Sequence, residues 1–367
     1  MEKVEKVGTL EAISFIVIVM INQIILNSPK SIVVSTGSAS WLNVIFISFL
    51  AVVFCLFIAR LFRRFKNEDI IDISEFLGGK ILKVIIGILY LILFLGVNAL
   101  ILRYFSECIK LIYYPTSPRI FILLFFIVGS ILAVSRGISS VIRTNLIIMP
   151  FLLVSILVIF FSVSKWFVWE RAFPIFGYGF NPTFLTGLTN VFAFGGFANL
   201  YFLMPLLKNK ENFKKISIIS VIVSSIYLFI SVICLLLTFS NSATSQEIIA
   251  IYPLTRIIEY GRFFQRVDAI FIFLWILSAF CYLSTSLVLV THIFKKLTYI
   301  SNEKIMSLPF SSMILGLALS INSFTNARFI QENIYKFFYL VLAFIITPLI
   351  LILANWKKRK KEKEFSV

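Results

Sequence analysis

Long apolar runs, separated by short polar and mostly basic stretches, make up almost the whole chain of 367 residues. A helix crossing the hydrocarbon core needs roughly 20 mostly apolar residues, and by that measure the pattern predicts about ten spans. They fall at 9–34, 39–60, 81–112, 118–135, 141–164, 184–207, 214–240, 267–295, 306–324 and 333–356. No polar stretch between them is long enough for a separate globule. The chain therefore reads as one integral-membrane domain, 1–367, with a basic tail at 357–367. Leu10 to Leu26 is followed by Asn27, Ser28 and Pro29 without the small-residue cleavage site of a signal peptide, so the first run is expected to persist as a helix. An even number of spans puts both termini on one side. Lys and Arg number about 23 in the loops of that side and about 10 in the others, which predicts cytoplasmic termini.

Composition agrees with the pattern. Hydrophobic residues are 60% and charged residues 14% of the chain, with a mean hydropathy of +0.99. Ordinary soluble domains are nearer half apolar and a quarter charged, which excludes a soluble enzyme, a DNA-binding domain and a disordered scaffold. The net charge of +17 comes from basic residues that border the spans, so it speaks of lipid and topology rather than nucleic acid. Lys357 to Lys363 reads as a solvated basic end drawn to anionic lipid. Trp41, Trp166, Trp169 and Trp356 fall at predicted span ends as an interfacial belt. Trp275 lies deep in a span, where its indole N–H requires a partner or a wet cavity.

Catalytic chemistry has little to work with. The lone His292 leaves no metal set and no nucleophile triad. Cys55, Cys108, Cys234 and Cys281 have no paired spacing and read as small core residues. Gly177-Tyr178-Gly179 lacks the strand and third glycine of a dinucleotide fingerprint, and no phosphate-binding loop is present. A non-enzymatic protein with no cofactor and no metal is expected.

The polar residues inside the spans are more informative. Ten helices divide into two sets of five, about 9–164 and 184–356, as in inverted-repeat transporters whose first helix in each set is interrupted near the midplane. Span six carries Gly195-Gly196 near its middle, each costing about 1 kcal/mol relative to Ala in a helix. A break there frees backbone N–H and C=O groups for a ligand; close helix packing is the alternative use of the two glycines. Span one carries Asn22-Gln23, buried amides that must find partners, with Ser28-Pro29 further on. Polar groups at matching depth in spans one and six favour a small-molecule pocket. Span three contains Asn98 and, four residues apart on one face, Arg103 and Glu107, which predict a structural ion pair near the outer vestibule. Span eight brings Trp275, Ser278, Tyr282, Ser284, Thr285 and Ser286; the four-residue steps Ser278, Tyr282 and Ser286 mark a face that lines a cavity or bonds to neighbouring helices. Just before it, Arg256, Glu259, Arg262 and Arg266 predict an interfacial helix.

Several stretches, in order, resemble the spore germination proteins of the GerAB/GerKB type. They are Leu102-Arg103-Tyr104-Phe105-Ser106-Glu107 with Tyr114-Pro115-Thr116-Ser117-Pro118, then Arg136-Gly137-Ile138 with Arg143 and Met149-Pro150. Phe173-Pro174 with Gly179 and Pro182, and Phe194-Gly195 leading to Met204-Pro205-Leu206-Leu207-Lys208, follow. Tyr252-Pro253-Leu254 leads to Arg266-Val267-Asp268-Ala269 and Trp275-Ile276. The resemblance implies the integral-membrane B subunit of a germinant receptor, in the amino acid-polyamine-organocation superfamily, with an all-α LeuT-type 5+5 inverted repeat. It also implies partner A and C subunits, the spore inner membrane, and a pocket bordered by spans one, three, six and eight. Gly196 stands where the family often has an acidic residue, and Ser40 stands before Trp41 where it often has Asp.

The expected ligand set is Asn22, Gln23, Val97, Asn98, Phe194, Gly195, Gly196, Asn199, Trp275, Ser278, Tyr282 and Thr285, with Arg103 and Glu107 as the structural pair. A small nutrient germinant, such as an amino acid, is expected to bind there and bias the bundle between closed and open states. The alternatives are a secondary amino acid transporter coupled to Na⁺ or H⁺, and a germinant-gated ion pathway.

Overall fold

A computed structural model of the protein describes residues 6–26, 28–247, 249, 251–258, 267–298 and 303–364. Helix dominates, because backbone polar groups in hydrocarbon must be satisfied within their own segment. In chain order the α-helices are α1 (Thr9–Leu26), α2 (Ser28–Thr36), α3 (Ser40–Phe62), α4 (Ile70–Ile112), α5 (Arg119–Ser135), α6 (Ile138–Val163) and α7 (Phe197–Leu200). There follow α8 (Phe213–Thr238), α9 (Asn241–Gln246), α10 (Tyr252–Arg256), α11 (Val267–Thr298), α12 (Glu303–Ser320), α13 (Phe324–Ile330), α14 (Lys336–Val341) and α15 (Thr347–Glu364). The one β contact among the described residues joins Val7 to Leu207.

Among the described residues, six helical stretches are long and apolar enough to cross a membrane: Ser28–Phe62, Ile70–Ile112, Ile138–Trp166, Lys210–Thr238, Asp268–Thr298 and Phe324–Glu364. Three shorter apolar helices, Thr9–Ile25, Arg119–Ser135 and Ile305–Ser320, accompany them. The protein is thus an all-α, multi-spanning membrane protein. α1 is buried continuously from Ala12 to Ile25, as a helix apolar on every side must be at the centre of a bundle. α11 packs on α1, α4, α5, α6 and α12, while α8 packs on α3, α1 and α2. The expected interruption of span one adjoins residue 27, which lies outside the described residues, as does most of the predicted interfacial helix beyond α10.

The predicted span 81–112 is preceded by a short extra helix. Asp69 caps it, its carboxylate accepting from the Ile71 and Asp72 N–H groups at 3.0 and 3.2 Å. Gly78 and Gly79 then redirect the chain, Gly79 at φ +70°, a left-handed conformation glycine adopts without steric cost. That redirection leaves carbonyls without helical partners. The tail, expected as a free basic end, supplies them: the Lys357 ammonium donates to the Phe76 and Leu77 carbonyls at 2.9 and 2.8 Å. Lys358 donates to the Arg64 carbonyl at 2.7 Å, and Arg64 pairs with Glu362 at 3.1 Å. The basic residues continue α15 and dock it on 64–77.

Candidate functional site

Around α11 the predicted polar residues meet one another. The Asn22 amide donates to the Ser278 carbonyl at 2.9 Å and to the Ile18 carbonyl at 3.0 Å, and the Ser278 hydroxyl donates back to Asn22 Oδ1 at 3.0 Å. One step along α11, Asn145 of α6 donates to Thr285 Oγ1 at 2.9 Å, and Asn98 of α4 donates to Ser286 Oγ at 2.8 Å. The stripe on α11 therefore joins helices rather than lining open space. Tyr282 and Trp275 are buried on the same helix, Trp275 packed on Phe105 with ring centroids 4.6 Å apart and its indole N–H unpartnered among the described residues. Val97 is half-buried beside Asn98.

Arg103 and Glu107 form the expected pair, with the Arg103 side chain inside the bundle. It is fully buried, its guanidinium donating to the Ile321 and Asn322 carbonyls at 2.9 and 3.2 Å. Glu107 also meets Arg119 at 2.8 Å. The three charged side chains and the two carbonyls tie α4, α5 and the corner after α12 together.

Span six is irregular from end to end. A wide turn at Asn181–Leu185 leads into a tightly wound stretch, Thr186–Phe194, then a turn at Gly195-Gly196, the four residues of α7, and further turns. Such long tight winding is uncommon, and it leaves carbonyls to be satisfied from outside. Asn43 of α3 donates to the Thr183 and Gly187 carbonyls at 2.7 and 3.2 Å, and Asn190 donates to Asn43 Oδ1 at 3.0 Å. At the glycine turn, the Tyr339 hydroxyl of α14 accepts from the Ala198 N–H at 3.3 Å and donates to the Phe194 carbonyl at 3.4 Å. Phe194 and Asn199 are buried, and the Asn199 amide nitrogen has no partner among the described residues.

The two glycines differ. A Cβ on Gly195 would stand 3.5 Å from the Gln23 side chain, in ordinary contact, so the structure brings this predicted pair together. A Cβ on Gly196 would lie 2.7 Å from Met20 and 3.2 Å from the Ile16 carbonyl, so Gly196 lets span six press against α1.

Open space lies to one side of this centre. A narrow cleft is bordered by Gln23, Ser28 and Ser31 from the first span, Asn190 and Ala193 from the sixth, and Gln331, Glu332 and Lys336 from the last. Its enclosed space has room for roughly two waters. Beside it Lys30 is buried inside α2, its ammonium donating to the Glu247 carbonyl. Lys30, Asn43, Gln331, Glu332, Lys336 and Tyr339 were not singled out by the sequence reading. Charged side chains within predicted spans were the available signal for Lys30 and Lys336; nothing marks Asn43 or Tyr339 without knowing which carbonyls span six leaves free.

At the opposite end, His292 is not isolated. Its Nε2 lies 3.0 Å from Asp69 Oδ2, and Lys296 reaches the same oxygen at 2.7 Å. Burial alone pushes the Asp69 carboxyl up, but the His292 hydrogen bond and the Lys296 charge outweigh it and hold the group below the usual carboxylate range. Among the described residues no three His, Cys, Asp or Glu side chains gather as a metal site.

The family model described as "Spore germination protein" matches residues 6–328. The chain belongs to the spore germination protein family. Within it, spore germination protein YndE of Bacillus subtilis (strain 168) is 23% identical over 362 residues, 96% of this chain and 98% of the relative. Spore germination protein KB of the same organism is 22% identical over 359 residues, 93% of this chain and 94% of the relative. Spore germination protein XB of Bacillus anthracis is 22% identical over 338 residues, 89% and 91% of the two chains. Two solved structures share the fold at 14% identity: MhsT in complex with L-phenylalanine, with a TM-score of 0.64 over 96% of this chain and 99% of that one, and a Na⁺-coupled sialic acid symporter, with a TM-score of 0.65 over 95% and 78%. The fold of this family member is therefore related to LeuT-type transporters.

Proposed function

We propose that the protein is the integral-membrane B subunit of a spore germinant receptor, of the GerAB/GerKB type, which binds a small nutrient and thereby triggers germination. The observation that carries this reading is the irregular sixth span of a spore germination family member, set against the central α1 at Gln23 and Gly195. A bundle held together at such a point has a natural place for a ligand to favour one packing over another. In this reading the ten apolar segments span the spore inner membrane as a 5+5 inverted repeat, with halves at about 9–164 and 184–356 and both termini in the spore core. A and C subunits complete the receptor.

The test is thermal stabilisation of the purified chain by amino acids, sugars and nucleosides. A ligand that binds only the folded state at a hundred times its Kd adds about 2.7 kcal/mol of stability. A reproducible shift with one nutrient is expected; a folded protein that no nutrient stabilises overturns the reading for the isolated subunit. The likeness to a Na⁺-coupled symporter favours a second reading, a secondary transporter or a germinant-gated ion pathway. Proteoliposomes separate the two, since a transporter accumulates labelled substrate and a sensor only binds it.

A further inference from the structure

Resting on the nutrient-binding reading, we infer that the ligand seats in the cleft between α2, span six and the 331–336 turn, not among the polar groups at α11, and that it is a small α-amino acid whose carboxylate meets Lys336 and whose ammonium donates to Gln331.

Open space beside an unmet polar group singles out the cleft. Around α11, Asn22 and Ser278 bond each other, and Asn98 and Asn145 donate to Ser286 and Thr285; Asn98 Oδ1, Asn145 Oδ1 and the Trp275 N–H are without partners among the described residues, but a ligand reaching them would have to part the helices that those bonds join. The cleft offers its unmet group next to space. Gln331 is 6% exposed, yet its Oε1 has no hydrogen-bond partner among the described residues, and a buried acceptor left unpaired is costly until a donor arrives. An ammonium supplies that donor. The Lys336 ammonium on the same wall has no hydrogen-bond partner among the described residues. The opposite charge that it feels, Glu332, is held by Arg328 at 2.9 Å. Among the described residues, the three cations Lys30, Arg328 and Lys336 outnumber the two carboxylates Glu247 and Glu332, which suits an added carboxylate. Ile32, Phe192 and Ala193 complete the lining and offer apolar surface for a side chain.

Size gives the coupling. The cleft holds about two waters and is too small for an amino acid as it stands. Its wall at Gln331–Tyr335 is a wide turn with one residue too many for the regular ladder, a geometry found mainly at functional points in helices. Admission of the ligand must move that wall away from α2, so occupancy selects a different packing of the last span.

The test uses the full-length chain and each of the twenty L-α-amino acids as probes, followed by the C-terminal amide and the N-acetyl form of the one that stabilises it most. The wild type is expected to prefer the free acid over both derivatives by tenfold or more. Lys336→Met should weaken the acid at least tenfold and erase its advantage over the amide, Lys336→Arg should restore most of it, and Gln331→Leu should weaken the acid while leaving the N-acetyl form unchanged. Melting of each unliganded variant shows whether it is folded; should Lys336→Met not be, the wild-type discrimination between acid and amide carries the same test. Wild-type binding indifferent to these substitutions but lost in Asn98→Leu or Thr285→Val would overturn the placement and return the ligand to α11. A folded wild type that no amino acid stabilises, but a sugar or nucleoside does, would overturn the ligand class and leave the sensing reading intact.

Discussion

The α4–α6–α11 group and the pair formed by span six and the last span solve the same problem in opposite ways. In the first, α4 beyond Gly79, α6 and α11 run as continuous α-helices, and a few side-chain contacts, Asn98 to Ser286 and Asn145 to Thr285, fix their register. In the second, the backbone itself is irregular, and side chains from elsewhere satisfy it. Tyr339 serves both sides of the glycine turn, Asn43 serves two carbonyls of span six, and Tyr201 donates to the Ala343 carbonyl at 2.6 Å inside a wide turn of the last span. A regular helix is rearranged only as a unit, whereas an irregular one sewn by hydroxyls and amides has alternative bonding partners close by. The contrast marks the first group as frame and the second as the element able to change.

Four experiments would break or sharpen that contrast. The largest effect is expected in the frame: Glu107→Ala leaves the buried Arg103 without its counter-charge and should cost about 3–5 kcal/mol, read as a fall in thermal or denaturant stability. The double replacement Arg103→Met with Glu107→Leu should recover much of that loss. Next comes the sewn region, where Tyr339→Phe orphans an N–H and a C=O and should cost about 1–3 kcal/mol. Hydrogen exchange should then rise at residues 194–198 while α4 and α11 stay protected. A double-mutant cycle on Asn145→Val and Thr285→Val should give a coupling of about 0.6 kcal/mol, at most about 1.7. A larger value would mean that the frame, too, depends on a few side-chain bonds.

The last effect is read on acidification. Because Asp69 is held below its ordinary pKa of 3.8, its contribution is complete above that value and is lost as pH falls through the lower, folded one. Melting temperatures should therefore drop as pH falls below about 4, and the Asp69→Asn variant, already short of that contribution at neutral pH, should lack that component of the slope.

Most of the fold was legible because bilayer thickness sets a length that composition can meet or fail. The predicted interval 141–164 closely matches α6, and 39–60 matches α3. Family membership was legible from the order of short segments rather than from any one of them. The helix before 81 was missed because its apolar residues are few and its start is set by a cap, Asp69, whose role depends on backbone geometry. Within the candidate site, spans one and six were matched by depth alone, and the structure places Gln23 against Gly195; the Asn22–Ser278 contact, between spans one and eight, was not foreseen. The cleft itself was not legible. Its Lys336 lay inside a predicted span, and its neighbours on α2 come close only because span six departs from the helix that its hydrophobicity suggests.

The docked tail gives the last span a mechanical property. Phe324–Glu364 is helical without a loop, with the cleft wall at one end and Lys357 bolted to the Phe76 and Leu77 carbonyls at the other. From Gln331 to Lys357 this is a connecting rod roughly 40 Å long at 1.5 Å per residue. A displacement at the upper end is carried to the segment ahead of Gly78-Gly79, which His292 and Lys296 of α11 hold at Asp69.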